Sequence, residues 1–291
     1  MCDDRTERDI ERHLRLHGMT RRDFSTALSA AAIAALLPRV VNASEVQESE
    51  VMVPTPDGAA DCYLVHPVEG RHAAVIMWPD IKGIRPAFRL MGKRLAQSGY
   101  TVLVVNPYYR TARGEVIRPG ESFGDPAVRE RLMPHARSLS PETCVSDGGA
   151  FIKYLDAHSA VNPERQVGSA GYCMTGSYTI RLAAAYPVRI GAGASFHGGG
   201  LATDQADSPH LLAPKTDAGF LIAIAENDDA KDPEDKTLLR EAFEQAGQTA
   251  EIEVYGGTLH GWCPPDGDAY NEAQAERAWG RMLALFEREL G

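Results

Sequence analysis

The stretch GSAGYCMTGSYT, residues 168–179, places a cysteine where a small-residue, strand-like run gives way to a helical one. Gly171 and Gly176 flank Cys173 at a spacing that lets a strand enter and a helix leave with their backbones close together. That is the context of a nucleophile elbow. The turn pushes the sulfur outward, and the N-terminus of the new helix favours a thiolate. Thr175 stands where such elbows prefer glycine. Read alone, Cys173 serves equally well as a small buried filler, so the rest of the chain has to decide.

Strand and helix signals alternate on both sides of the elbow from about residue 50. RHAAVIMWP (71–79) reads as a buried strand, and PAFRLMGKRLAQSG (86–99) has helical spacing with Pro86 near its start and Gly99 at its end. YTVLVVNP (100–107) is a second strand. Ser140, Pro141 and Glu142 offer an N-cap and first-turn proline for a helix running through FIKYLDAH. RQVGSAGYC leads as a strand into a helix expected over Met174–Tyr186. Further strands fit IGAGASF (190–196), FLIAIAE (220–226) and AEIEVYG (250–256), with helices at PEDKTLLREAFEQAG and at the closing AYNEAQAERAWGRMLALFEREL. This alternation predicts an α/β protein with a doubly wound, mostly parallel sheet flanked by helices. Ligands in such sheets bind at the carboxyl ends of the strands. The Arg-, Gly- and Pro-rich stretch 108–139 reads as a long functional loop or cap over that edge.

Two further residues belong to the same edge. AENDD (225–229) follows a strand and places Asp228 or Asp229 there; YGGTLHGW (255–262) follows the next strand and brings His260. Nucleophile, acid, histidine is the chain order of an α/β-hydrolase triad. In it His260 would take the proton of the Cys173 thiol, held in orientation by the aspartate. Asp228 as a turn residue and His260 as a loop histidine are the plain alternatives. Three such residues in order, each just past a strand, outweigh them.

On WPDIKGIRPAFRLMGKRLAQSGYTVLVVNPYYR, GYCMTG, AENDD and LHGW, the chain resembles the dienelactone hydrolase family of α/β-hydrolases over nearly all of residues 50–290. The resemblance implies a lactone or small-ester hydrolase acting through a thioester on Cys173, with no cofactor. It selects Asp228, three residues after Ala225, as the acid. It also implies an oxyanion hole built from the backbone N–H groups of Ile81 and Met174. The family places Glu at the strand end where it interacts with the resting thiol; here Asp80 stands there. Arg110 matches a family arginine that grips the substrate carboxylate. The second such arginine is replaced by Pro264. His197, in SFHGGG, is expected at the pocket rim, as a substrate-binding or a structural residue. Rival readings are a thioesterase or peptidase-like acyl hydrolase, and an exported, non-catalytic protein that binds small carboxylates through Arg110.

Residues 1–43 read as a separate segment. Thr20-Arg21-Arg22-Asp23-Phe24 looks like a twin-arginine export signal, followed by the Ala-rich STALSAAAIAALLP and by Val41-Asn42-Ala43, which suits a signal peptidase. Ser25 and the long, non-basic leader depart from that pattern; an amphipathic helix with a chance Arg-Arg is the alternative. The expected product is a periplasmic domain of residues 44–291, handled by the export machinery, with no membrane segment in the mature form. A net charge of −10 argues against nucleic acid as a partner. The five cysteines show no CxxC and no metal-ligand spacing, and nothing in their positions pairs them. GAGASF lacks the third glycine of a dinucleotide fingerprint, and NDDAKDPED lacks the glycine and glutamate of a calcium loop.

Overall fold

The computed structural model describes residues 4–16 and 30–291. Helices α1 (Asp4–Leu16) and α2 (Ala30–Leu36) precede an eight-stranded sheet. Its strands are β1 (Val46–Thr55), β2 (Gly58–Pro67), β3 (Ala74–Trp78), β4 (Thr101–Val105), β5 (Val167–Tyr172), β6 (Ile190–Phe196), β7 (Gly219–Ala225) and β8 (Ala250–Tyr255). They lie in the order β1-β2-β4-β3-β5-β6-β7-β8. From β4 to β8 every pairing is parallel, whereas β1 and β2 form an antiparallel hairpin that joins β4 antiparallel.

The parallel strands β3 to β7 are buried on both faces because helices cover both. Helices α3 (Pro86–Gln97) and α9 (Glu272–Leu290) bury Phe88, Met91, Leu95, Met282 and Phe286 against one face. Helices α5 (Pro141–Asp156), α6 (Gly176–Ala185) and α8 (Asp235–Gln245) bury Phe151, Leu182 and Phe243 on the other. Ser140 caps α5 as its sequence suggests: its side chain accepts from the Thr143 amide, and the Thr143 hydroxyl accepts from the Ser140 amide.

Three local features differ from the sequence expectation. The helix after the elbow starts later, since Cys173–Thr175 form a 3₁₀ turn and α6 begins at Gly176. The stretch 108–139 contains a helix, α4 (Pro126–Arg137), capped by the Asp125 carboxylate on the Ala127 amide. Its signal was faint because Pro134 lies inside it and only Val128 and Leu132 are buried. The acidic loop after β7 coils into a short helix, α7 (Glu226–Lys231).

Arg21 and Arg22 lie outside the described residues. Ser44 donates from its backbone to the Gln97 carbonyl at 3.0 Å, and upstream of it α2 packs on α3. Just upstream, Val41 is exposed and Asn42 adopts a left-handed turn. Among the described residues no helix is long and apolar enough to cross a membrane. Cys62, Cys144, Cys173 and Cys263 are all buried, and none is in a disulfide.

Candidate active site

β5 delivers Cys173 in the left-handed region, φ 59°, a conformation a side chain other than glycine holds only when its surroundings enforce it. Those surroundings are the two flanking glycines. A Cβ at Gly171 would lie 2.2 Å from the Thr175 carbonyl oxygen, and one at Gly176 would lie 2.5 Å from Ser195 Oγ. Thr175, the departure from the usual elbow, has a fully buried hydroxyl that accepts from the Tyr172 amide at 3.0 Å. The same hydroxyl lies within hydrogen-bond reach of the Trp78, Pro79 and Tyr172 carbonyls. Threonine thus clasps the elbow to the end of β3, which glycine could not do.

His260 follows β8, and its Nε2 lies 3.1 Å from Cys173 Sγ. Its Nδ1 donates to Asp228 Oδ2 at 2.7 Å. Asp229 instead pairs with Lys236 at 2.6 Å, which separates the two candidate acids. Asn227 adds a contact that sequence reasoning missed, accepting from the His260 amide at 2.8 Å. Burial alone would push the His260 imidazole down, but the Cys173 sulfur and the Asp228 carboxylate outweigh it and raise it to about 10. Burial likewise opposes ionisation of Asp228, and His260 prevails, holding that carboxyl below its ordinary range.

Asp80 and Ile81 leave β3 beside the sulfur. Both Asp80 oxygens are engaged by Arg85, at 2.7 and 2.9 Å, and Oδ1 also accepts from the Lys82 amide. The carboxylate expected to orient the thiol is therefore committed to a guanidinium. Arg85 extends its other donors to Asp266 at 2.6 and 2.9 Å, in the loop that follows His260. Burial opposes both carboxylates' charge, yet Arg85 keeps each below the ordinary range. The Tyr108 hydroxyl donates to the Ile81 carbonyl at 2.9 Å and lies 3.9 Å from Met174 Sδ, linking the two residues whose amides were expected to form the oxyanion hole.

Cys173, His260, His197, Asp80 and Ile81 line one cavity of about 150 Å³. Its outer wall comes from the 115–124 loop, and Met174 packs beneath it against Ile81, Ile117 and Phe123. Thr6, Ile10 and Ile33 of the N-terminal helices close part of the mouth. His197 is buried inside the cavity wall rather than at its rim, with φ 40° and its ring 5.0 Å from that of His260.

Arg110 requires a correction. It does not line this cavity. Its guanidinium bonds Asp57 and Asp147 through four contacts of 2.6–2.9 Å and lies over the Tyr109 ring. Two carboxylates already satisfy its charge, so it fastens the β1–β2 turn to α5 instead of facing a substrate. Among the described residues the cations along the cavity are Lys82, Arg85 and Arg118.

A family model described as the dienelactone hydrolase family matches residues 60–290. A Bradyrhizobium protein named as a probable 2-oxo-3-(5-oxofuran-2-ylidene)propanoate lactonase is 27% identical over 233 residues, covering 78% of this chain and 89% of that protein. A Synechocystis protein assigned as a carboxymethylenebutenolidase is 28% identical over 258 residues, 84% of this chain and 98% of its own length. Among solved structures, one from Klebsiella pneumoniae assigned as a dienelactone hydrolase superposes with a TM-score of 0.72 at 24% identity, covering 84% of this chain and all of that one. That likeness shows the α/β-hydrolase fold.

Proposed function

The chain belongs to the dienelactone hydrolase family, of carboxymethylenebutenolidase-type lactone hydrolases, and from that premise we propose that it opens lactones or small carboxylic esters through Cys173, His260 and Asp228. The observation that carries this reading is the unbroken Asp228–His260–Cys173 chain, 2.7 and 3.1 Å, whose Cys173 and His260 line the cavity. The cysteine thiolate adds to the acyl carbon, and the developing oxyanion is received by the Ile81 and Met174 amides. As the carbon–oxygen bond of the lactone breaks, the His260 imidazolium gives its Nε2 proton to the leaving oxygen. The product stays on Cys173 as a thioester.

Acylation also resets the base. The sulfur's negative charge, the first favourable contribution to the raised His260 value, disappears when the thioester forms. Burial then weighs more heavily against the imidazolium, and His260 becomes competent to accept a proton from water. Hydroxide adds to the thioester, the thiolate leaves, and the acid is released with His260 protonated again. Overall one water is consumed per ester bond, with no redox change.

With Arg110 engaged elsewhere, the reading favours lactones and esters in general over a substrate gripped by that arginine. Residues 1–43 act in this proposal as a removable export leader for a periplasmic enzyme, supported by the exposed turn before Ser44. The test is acid-quenched mass spectrometry after mixing with a panel of lactones and esters. A transient acyl adduct confined to Cys173 is the expected result; hydrolysis with an adduct elsewhere would refute the assignment.

A further inference from the structure

Among the described residues, several buried side-chain polar atoms have no hydrogen-bond partner within the protein, and both ring nitrogens of His197 are among them. The others belong to Arg94, Tyr172, Ser195, Tyr255, Trp262, Tyr270 and Gln274, none of which lines the cavity holding Cys173. His197 alone of this set does. A buried imidazole with neither nitrogen satisfied is costly, and the cavity that His197 lines is where its partner can come from.

The backbone holds it in place at a further cost. His197 has φ 40°, a left-handed conformation that residues other than glycine and asparagine rarely adopt. Its amide donates to the Ala223 carbonyl at 2.8 Å, and the Gly199 amide donates to the Cys173 carbonyl at 3.2 Å. The loop is thereby tied to the nucleophile itself. The ring stands edge-on to His260 with centroids 5.0 Å apart, on the base's side of the cavity.

We propose that His197 positions the hydrolytic water in deacylation by accepting one of its hydrogens while His260 accepts the other. This rests on the Cys173–His260–Asp228 reading. Water engaged through both hydrogens has a lone pair left to face the thioester carbon. The O–H bond to His260 breaks, the new carbon–oxygen bond forms, and the bond to His197 only orients. That role requires a neutral ring, and burial followed by the neighbouring His260 pushes His197 down to about 4.

The substitution His197→Phe keeps a ring of similar size and removes both nitrogens. Rapid mixing with 4-nitrophenyl acetate separates acylation, the burst, from deacylation, the steady state. Methanol added as a competing acceptor has one O–H, which His260 uses, so it gains nothing from His197. The expected result is an undiminished burst, hydrolysis slowed roughly tenfold to a hundredfold, as loss of a hydrogen bond in the transition state implies, and a methanolysis-to-hydrolysis ratio raised by the same factor. His197→Gln, which restores an acceptor, should recover part of the hydrolysis rate. Should the phenylalanine variant fail to fold, His197→Asn suits the left-handed backbone, ends too short to reach the water, and should raise the ratio equally. An unchanged ratio in the folded variants overturns the proposal and leaves His197 structural. Absence of an acetyl group on Cys173 in the unsubstituted enzyme would instead overturn the triad itself, and the water role with it.

Discussion

Asp80 and Arg85 form a two-pronged ion pair beside the nucleophile, 2.7 and 2.9 Å, and the same guanidinium reaches across to Asp266. One buried cation therefore ties the turn that carries Ile81 to the loop that follows His260. The amide expected to receive the oxyanion and the histidine expected to move the proton are held by one bridge.

Removing the cation strands two buried carboxylates, so Arg85→Met should cost about 3–5 kcal/mol in denaturant unfolding. The pH dependence follows from the depressed carboxyls. Asp80 and Asp266 both titrate below their unfolded range, so their contribution is complete above about pH 4 and is lost as pH falls through the folded values. The variant should lose that acid-limb dependence. A stability curve parallel to that of the unsubstituted protein below pH 5 would show that the bridge is not what depresses these groups.

Asp228→Asn should impair kcat far more than Asp229→Asn, because only Asp228 touches His260, whereas Asp229 is paired with Lys236. Cys173→Ala should remove hydrolysis with the fold retained, the loss being several orders of magnitude. Similar losses for both aspartate variants would mean that the acid acts through the loop and not through the imidazole.

His260 is raised to about 10, and Asp228 is one cause. The imidazolium form is present below that value and lost as pH rises through it. For an alkyl ester, whose poor leaving group needs the proton, the alkaline limb of kcat/KM should lie on the far alkaline side. Asp228→Asn takes away one support for the charged ring, so the alkaline limb should move to lower pH. A limb that stays in place would separate it from His260.

The legible parts of this protein were those encoded within a few residues. The Gly–Tyr–Cys elbow, the acid after β7 and the histidine after β8 each follow a strand, and strand ends of a parallel sheet gather at one edge. The fate of Arg110 was not local. Its partners Asp57 and Asp147 lie 53 and 37 residues away, so only the folded chain shows which carboxylates reach it first. Asp266 is 181 residues from Arg85, and nothing in PPDGD marks it as the other end of a bridge. The β1–β2 hairpin was equally hidden, because β1 alternates burial with exposure and carries little of the apolar signal that marks the central strands.

Arg110 now has a structural test. Arg110→Ala leaves Asp147 buried without its guanidinium and should cost about 1.5–3 kcal/mol, the range for charged hydrogen bonds. Activity per folded molecule should change alike for neutral and anionic lactones. A selective loss of tenfold or more against the anionic ones would restore it as a carboxylate anchor.

The N-terminal helices make the last expectation. Ile10 packs with Ala269 and against Leu259, Asp9 accepts from Asn227 at 3.4 Å, and Thr6, Ile10 and Ile33 line the cavity that holds Cys173. The two cores flanking the sheet draw their buried residues from Val53 onward. A cover that must lift before a substrate enters lowers apparent affinity by the fraction of molecules that are open. Removing residues 1–43 should therefore raise kcat/KM for bulky aryl esters by the inverse of the open fraction. Small lactones, which pass a partly closed mouth, should gain less. Ile10→Glu in the full chain should reproduce the change by destabilising the apolar seat, without shortening the protein. Equal kinetics for the full and shortened chains across substrate sizes would mean that the helix leaves the entrance open in solution.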